Sequence, residues 1–160
     1  MTGLAGSTPA RPLEWRRDRW VMSTDPTRLD RALIHRFLSE RSYWARGIPA
    51  PVVERSIANS LNFGVYDGHG AQLGYARVIT DRATFAFLRD VFIVEDHRGE
   101  GLGTWLLEVV VSHPDLQGLR RVLLATRDAH RLYARLGFRP LKRPDRFLAI
   151  ETPTKELYPR

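Results

Sequence analysis

Three glycines alternate with other residues at Gly99, Gly101 and Gly103, inside the stretch VEDHRGEGLGTWLLEVV (94–110). Glycine at that density marks a backbone that needs positive φ, or one that another molecule approaches closely. Just downstream, Leu102, Trp105, Leu106, Val109 and Val110 fall at i, i+3, i+4, i+7 and i+8, the single buried stripe of an amphipathic helix. Just upstream, TFAFLRDVFIV (84–94) is apolar enough for a central strand. A strand therefore feeds a glycine turn that feeds a helix N-terminus. Free N–H groups and a partial positive charge gather at such a terminus, so the chemistry on offer is anion binding, with phosphate first.

Two familiar phosphate motifs fail here. A G-x-G-x-x-G fingerprint counted from Gly99 ends in Thr104, and no lysine lies near enough for a G-x-x-x-x-G-K-[ST] loop. A third reading, in which the glycines only let a helix pack closely on a strand, also stays open. Arg98-x-x-Gly101-x-Gly103 resembles the R/Q-x-x-G-x-G signature of the GNAT family of N-acetyltransferases. One strand and one helix further on, LYARLGF (132–138) resembles that family's second signature, aromatic-Tyr-x-x-x-Gly-Phe, with Leu132 in the aromatic position. The strand end DVFIVEDHRG is also similar, with Glu95 where the family usually has proline. The resemblance covers residues 20 to 150.

The resemblance implies an α/β acyl-CoA N-acyltransferase fold. Its mixed, mostly antiparallel central sheet splays between two strands and is flanked by about four helices. It implies acetyl-CoA as cofactor, with its pyrophosphate on the main-chain N–H groups of Gly99, Glu100, Gly101, Leu102, Gly103 and Thr104 and with charge added by Arg98. Val91, Phe92 and Ile93 would pair their main chain with the pantetheine arm. Thr126 stands where relatives often place an asparagine against that arm, and its hydroxyl still offers one hydrogen bond.

Acetyl transfer needs an unprotonated amine, a stabilised oxyanion and a proton for the leaving thiolate. By resemblance Tyr133 supplies that proton; an ordinary phenol near pKa 10 is protonated at neutral pH. The alternative is that Tyr133 only packs beside Ala129, Leu132 and Leu136. A main-chain N–H of strand 91–93 is the expected oxyanion donor. Asp90 is the candidate general base, since a charged residue inside an apolar strand needs a reason; a structural ion pair with Arg89 or Arg77 would be another such reason. The acceptor pocket is expected at RSYWARGIP (41–49), where Tyr43 and Trp44 either wall the pocket or cap the core. With no cysteine, direct transfer is expected rather than a covalent intermediate. A small-molecule amine is the favoured acceptor. A protein or peptide acetyltransferase, or a module that binds coenzyme A without catalysis, are the rivals.

The elements that must position these residues follow from periodicity. Residues 1–18 are rich in proline, charge and small side chains and read as a mobile tail, with a single domain over 19–160. WVMST (20–24) alternates as a strand. DPTRLDRALIHRFLSE (25–40) opens with a helix-start signal, and a second helix is predicted over 52–60 behind Pro51. Strands are predicted at 61–66 and 71–80, joined by DGHG, and at 84–94. Then come a helix to His113, a strand at 120–126, a helix at 127–136, and two short final strands, FRPL (138–141) and RFLAI (146–150).

Composition removes other classes. At 160 residues with 43% apolar side chains the chain builds one soluble core, and no apolar run is long enough to span a membrane. No signal peptide is recognisable, so a cytoplasmic protein is expected. The five histidines show no metal-ligand spacing, and no metal is expected. The net charge of +7 is almost all arginine, but those residues are scattered without interleaved aromatics, which disfavours nucleic acid. A homodimer through sheet edges is open to members of the resembled family.

Overall fold

The computed structural model describes residues 11–159. A six-stranded sheet runs in chain order: β1 (Glu14–Arg17), β2 (Trp20–Ser23), β3 (Leu61–Tyr66), β4 (Gln72–Thr80), β5 (Phe85–Ile93) and β6 (Arg121–Leu123). Every neighbouring pair is antiparallel except β5 and β6, which are parallel. The crossover between those two carries α3 (Leu102–Ser112), as a parallel connection requires. The mixed, mostly antiparallel architecture expected from the sequence is present.

The period of two along the strands sorts side chains to two faces. Phe63, Val65, Ala76, Val78 and Leu88 pack under Leu102, Leu106, Val109 and Val110 of α3. On the other face Tyr75 and Phe92 meet Ile34, Leu38, Val53 and Ile57, carried by α1 (Arg31–Arg36), the turn that follows it, and α2 (Ala50–Ala58). Each face of the sheet is thus covered by its own helical layer.

Three expectations need correction. The tail reading fails at Glu14–Arg17, which pair with β2 through a tight turn at Asp18, where φ is 53°. A single inward aromatic explains the strand: Trp15 stacks on Phe63 at 6.3 Å. Residues 1–10 of that expected tail lie outside the described residues. The predicted helix 25–40 is broken into a 3₁₀ turn (26–28), α1, and a π turn (37–41). Asp25 and Asp30 each cap a separate start, accepting from Thr27 and Leu33 main-chain N–H groups at 2.9 Å. The final strands FRPL and RFLAI do not join the sheet; Pro140 lacks a donor and residues 144–146 coil into a 3₁₀ turn. The helix predicted at 127–136 is the shorter α4 (His130–Arg135), and α5 (Thr154–Leu157) is an addition.

His113 ends α3 and is 3% exposed, its Nδ1 accepting from the Asp115 main-chain N–H at 3.1 Å. Burial lowers its pKa below the ordinary 6.5, opposed by Asp115 and aided by Arg82. The folded chain therefore takes up this proton less readily than the unfolded chain. That contribution to stability is intact above the unfolded value near 6.5 and is lost as pH falls through the lower folded value. Thermal unfolding of His113→Asn should accordingly lose less stability than the wild type on acidification from neutrality. Equal losses in both proteins would remove His113 from the acid response.

Candidate active site

The glycine turn has the backbone that its residues suggest. Gly99 and Gly101 have φ of 82° and 80°, the left-handed region that side chains rarely adopt. A Cβ at Gly99 would have nothing within 4 Å, and one at Gly101 would meet only the Arg17 guanidinium at 3.4 Å. The turn thus opens toward free space. Gly101 is the N-cap of α3 and offers no side-chain acceptor to the first turn. The first main-chain bond of that helix runs from Trp105 N–H to Gly101 C=O at 3.1 Å. The N–H groups of Leu102, Gly103 and Thr104 are left with no acceptor inside the helix.

β5 supplies a second free surface. It pairs with β6 only at Phe85, Ala86 and Phe87, and the two strands then part. From Leu88 to Ile93 one edge of β5 has no strand partner, so Val91, Phe92 and Ile93 carry free main-chain groups toward the gap. Phe92 itself is anchored on the opposite face, stacked on Phe37 of the π turn at 3.8 Å and 10°. Arg98 folds back, its Nε donating to the Ile93 C=O at 3.1 Å.

Within β5 the ladder is irregular. Tyr75 faces Phe92 and Arg77 faces Arg89, so Asp90 and Val91 together oppose Ala76. This is a β-bulge, and Asp90 adopts a left-handed φ of 54° within it. Its carboxylate is buried and accepts from Arg77 Nε at 2.7 Å and from Trp44 Nε1 at 2.8 Å. Of the two ion-pair partners expected for Asp90, the one present is Arg77, which also donates to Ser60 Oγ at 3.1 Å.

Tyr133 sits on α4, half-buried, edge-on to Phe138 at 5.7 Å. Burial, reinforced by the nearby Tyr43 phenol, pushes its pKa above the ordinary 10. Thr126 Oγ1 accepts from the Ala129 main-chain N–H at 3.1 Å and so shapes the turn into α4. Tyr43 and Trp44 meet edge to face at 5.0 Å, and the Arg127 guanidinium lies 4.0 Å over the Tyr43 ring. That aromatic face already holds a cation. Thr154 Oγ1 donates to the Trp44 C=O at 3.4 Å, so the C-terminal helix sits against the same loop.

A phosphate-receptive turn, a free strand edge and a protonated tyrosine thus surround one opening between two parted strands. The acetyltransferase (GNAT) domain model matches residues 59–140, just over half of the chain and the part that holds all three. A protein of Gibberella zeae named as an acetyltransferase is 34% identical over 157 residues, covering 84% of this chain and 88% of its own. The chain belongs to the GNAT family of acetyltransferases. A crystal structure from Xanthomonas campestris, described as a GNAT-family acetyltransferase, is 49% identical with a TM-score of 0.84, over 88% of this chain and 97% of that one. An acetyltransferase structure from Deinococcus radiodurans shares the fold at 18% identity and a TM-score of 0.64, over 81% of this chain and 90% of that one.

In this GNAT chain the predicted residues fall into two groups. Residues 98–104 and 91–93 line the turn and the strand edge. Tyr43, Trp44, Asp90 and Tyr133 gather on the acceptor side, linked by the contacts just described. Three charged neighbours escaped the sequence reading. The β1–β2 hairpin brings Arg17 beside Gly101 and Arg19 to 3.5 Å from Glu100, and His97 Nδ1 meets Glu100 at 3.1 Å. Their signal was Trp15 and Trp20 bracketing a basic run inside the supposed tail. Among the described residues, no group of three or more His, Asp or Glu is arranged to hold a metal ion, and no helix is long and apolar enough to cross a membrane.

Proposed function

We propose that this GNAT protein transfers an acetyl group directly from acetyl-coenzyme A to the amine of a small molecule. The observation that carries the reading is the pair of left-handed glycines at the α3 N-terminus, opening in line with the free edge of β5. The fit is a physical one: the open space a Cβ would enter at Gly99 is room for phosphate oxygens. Residues 99–104 would hold the pyrophosphate with Arg98 and Arg17 beside it, and Val91–Ile93 would align the arm. Acetyl-coenzyme A supplies a thioester as acyl donor.

The chain's own residues then have separable tasks. Tyr133 holds a proton at Oη for the departing sulfur, and burial keeps that proton in place. The bulge turns main-chain groups at 90–91 out of the ladder, where one N–H can serve the oxyanion. Asp90 is the candidate base. A carboxylate has about four acceptor positions, and Arg77 and Trp44 use two of them. Thr126 fixes the turn that presents α4. Tyr43 and Trp44 form the acceptor wall. The C-terminal residues that meet Trp44 and Gly47 close that wall from outside, which supports a pocket for a small amine over an open groove for a peptide.

Thermal unfolding with acetyl-coenzyme A at about a hundredfold its Kd should add about 2.7 kcal/mol, a shift of several degrees. Release of free thiol on adding a panel of small amines then reports transfer, with no background from a protein that has no cysteine. No thermal shift would sink the cofactor assignment. Turnover confined to peptide acceptors would sink the small-molecule one.

A further inference from the structure

Strand β6 is an exposed edge. Among the described residues it hydrogen-bonds only to β5, and its other side has no partner. Val122, Leu123 and Leu124 are only partly buried, although a strand so apolar belongs in a core. Beside it opens a cavity of about 1580 Å³ walled by Val78, Leu88, Val110, Leu116, Val122 and Leu124. Sites for small ligands are typically about 300–1,000 Å³. None of residues 98–104 lines this space, which touches the candidate active site only at Thr126 and Tyr133.

The same chain carries an unpaired strand. RFLAI (146–150) has a strand's composition, yet among the described residues no main-chain hydrogen bond involves Leu148, Ala149 or Ile150. Leu148 is 97% exposed and Ile150 105%, far more than any other large apolar side chain described. Two residues apart, they point to one side of an extended segment. Patches of this kind are rare on monomers.

The segment is also held away from its own cavity. At one end Phe147 lies under the Arg121 guanidinium at 4.9 Å, at the start of β6. At the other, Thr154 is bonded to Trp44, whose neighbour Tyr43 lies under Arg127, just beyond β6. Residues 147–154 therefore span the same stretch as 121–127 while fastened at both ends, and they leave the β6 edge open. We propose that residues 147–151 of a second copy of this chain add to that edge, seating Leu148 and Ile150 in the cavity. Each copy offers one edge and one segment, so the contact is used twice and closes as a two-fold pair. Stable pairs bury about 800 Å² per partner, and an added strand with its side chains in a deep apolar cavity on each copy is a contact of that order. It would also remove an edge otherwise open to aggregation. The second copy would then complete the wall behind Tyr133 and Thr126.

Sedimentation velocity at micromolar concentration should give twice the chain mass for the wild type and the single-chain mass for Leu148→Asp/Ile150→Asp. Both side chains are in solvent in the single copy, so circular dichroism of the variant should stay that of a folded protein. The absence of native cysteine permits a direct test of geometry. Mixing Ile150→Cys protein with Leu124→Cys protein under oxidation should give a disulfide-linked heterodimer. A wild type that sediments as a single chain would overturn the proposal. So would a double variant that keeps the doubled mass, or a doubly substituted Leu124→Cys/Ile150→Cys chain that closes its disulfide within itself.

Discussion

Replacing Tyr133 by phenylalanine is expected to lower kcat for acetyl transfer by about 10²–10³-fold, the usual loss when one hydrogen-bond donor to developing charge is removed. KM for acetyl-coenzyme A should hardly move, because the phenol serves the reaction and not the phosphates. The fold should tolerate the change: the ring keeps its edge-on contact with Phe138, and no protein acceptor loses a bond. The pH dependence sharpens the expectation. Burial and Tyr43 raise the Tyr133 pKa, so the donor stays protonated through neutrality and past its ordinary value of 10. The rate should rise with pH as the acceptor amine loses its proton, without an alkaline fall below about pH 10. Steady-state kinetics that show a Phe variant within twofold of wild type would leave Tyr133 a packing residue.

The second large effect is expected at Gly101. Gly101→Glu should weaken acetyl-coenzyme A about a hundredfold or more, roughly 2.7 kcal/mol. Two causes add. A side chain in the left-handed region costs about 1–2 kcal/mol, and a carboxylate at the helix N-terminus takes the place meant for phosphate. Gly101→Ala separates them, since it brings the backbone strain without the charge; titration calorimetry should place it between wild type and Gly101→Glu. The flexible Arg17 end 3.4 Å from the new Cβ can move aside, so crowding adds little. If Gly101→Glu binds the cofactor like the wild type, the turn is not the pyrophosphate site.

These two predictions rest on parts of the molecule that were legible in the sequence, for a common reason. The demand of the glycine turn is local: positive φ at alternate positions, followed at once by the stripe of α3. Tyr133 likewise lies on a short helix ended by Gly137, where φ is 97°. Strands β3, β4 and β5 were legible because each alternates or runs apolar over six or more residues. Asp90 shows where this stops. Its ion pair was foreseeable, but the bulge that aims it was not, because an extra residue leaves no mark on an unbroken apolar run. The Trp44–Asp90 bond joins residues 46 apart, and no local pattern reports such a meeting. The β1 strand was missed because four residues with one aromatic fall below any periodicity. The final strands were overread for the opposite reason. FRPL and RFLAI have strand composition, but a strand needs an edge to join, and the composition of a segment does not say where that edge lies.

The loop carrying Tyr43 and Trp44 is fastened to the rest of the molecule at two main points. One is the indole bond to Asp90 and the other is the contact with residues 154–158. The groups that handle the acyl donor sit elsewhere, on β5, α3 and α4. Choice of acceptor and transfer of the acyl group are therefore modular in this chain. Side chains between the two fastenings can change, and the range of amines with them, while the glycine turn and Tyr133 stay as they are. Trp44 is the position where that freedom ends, because the residue that faces the acceptor also ties down the carboxylate at the bulge.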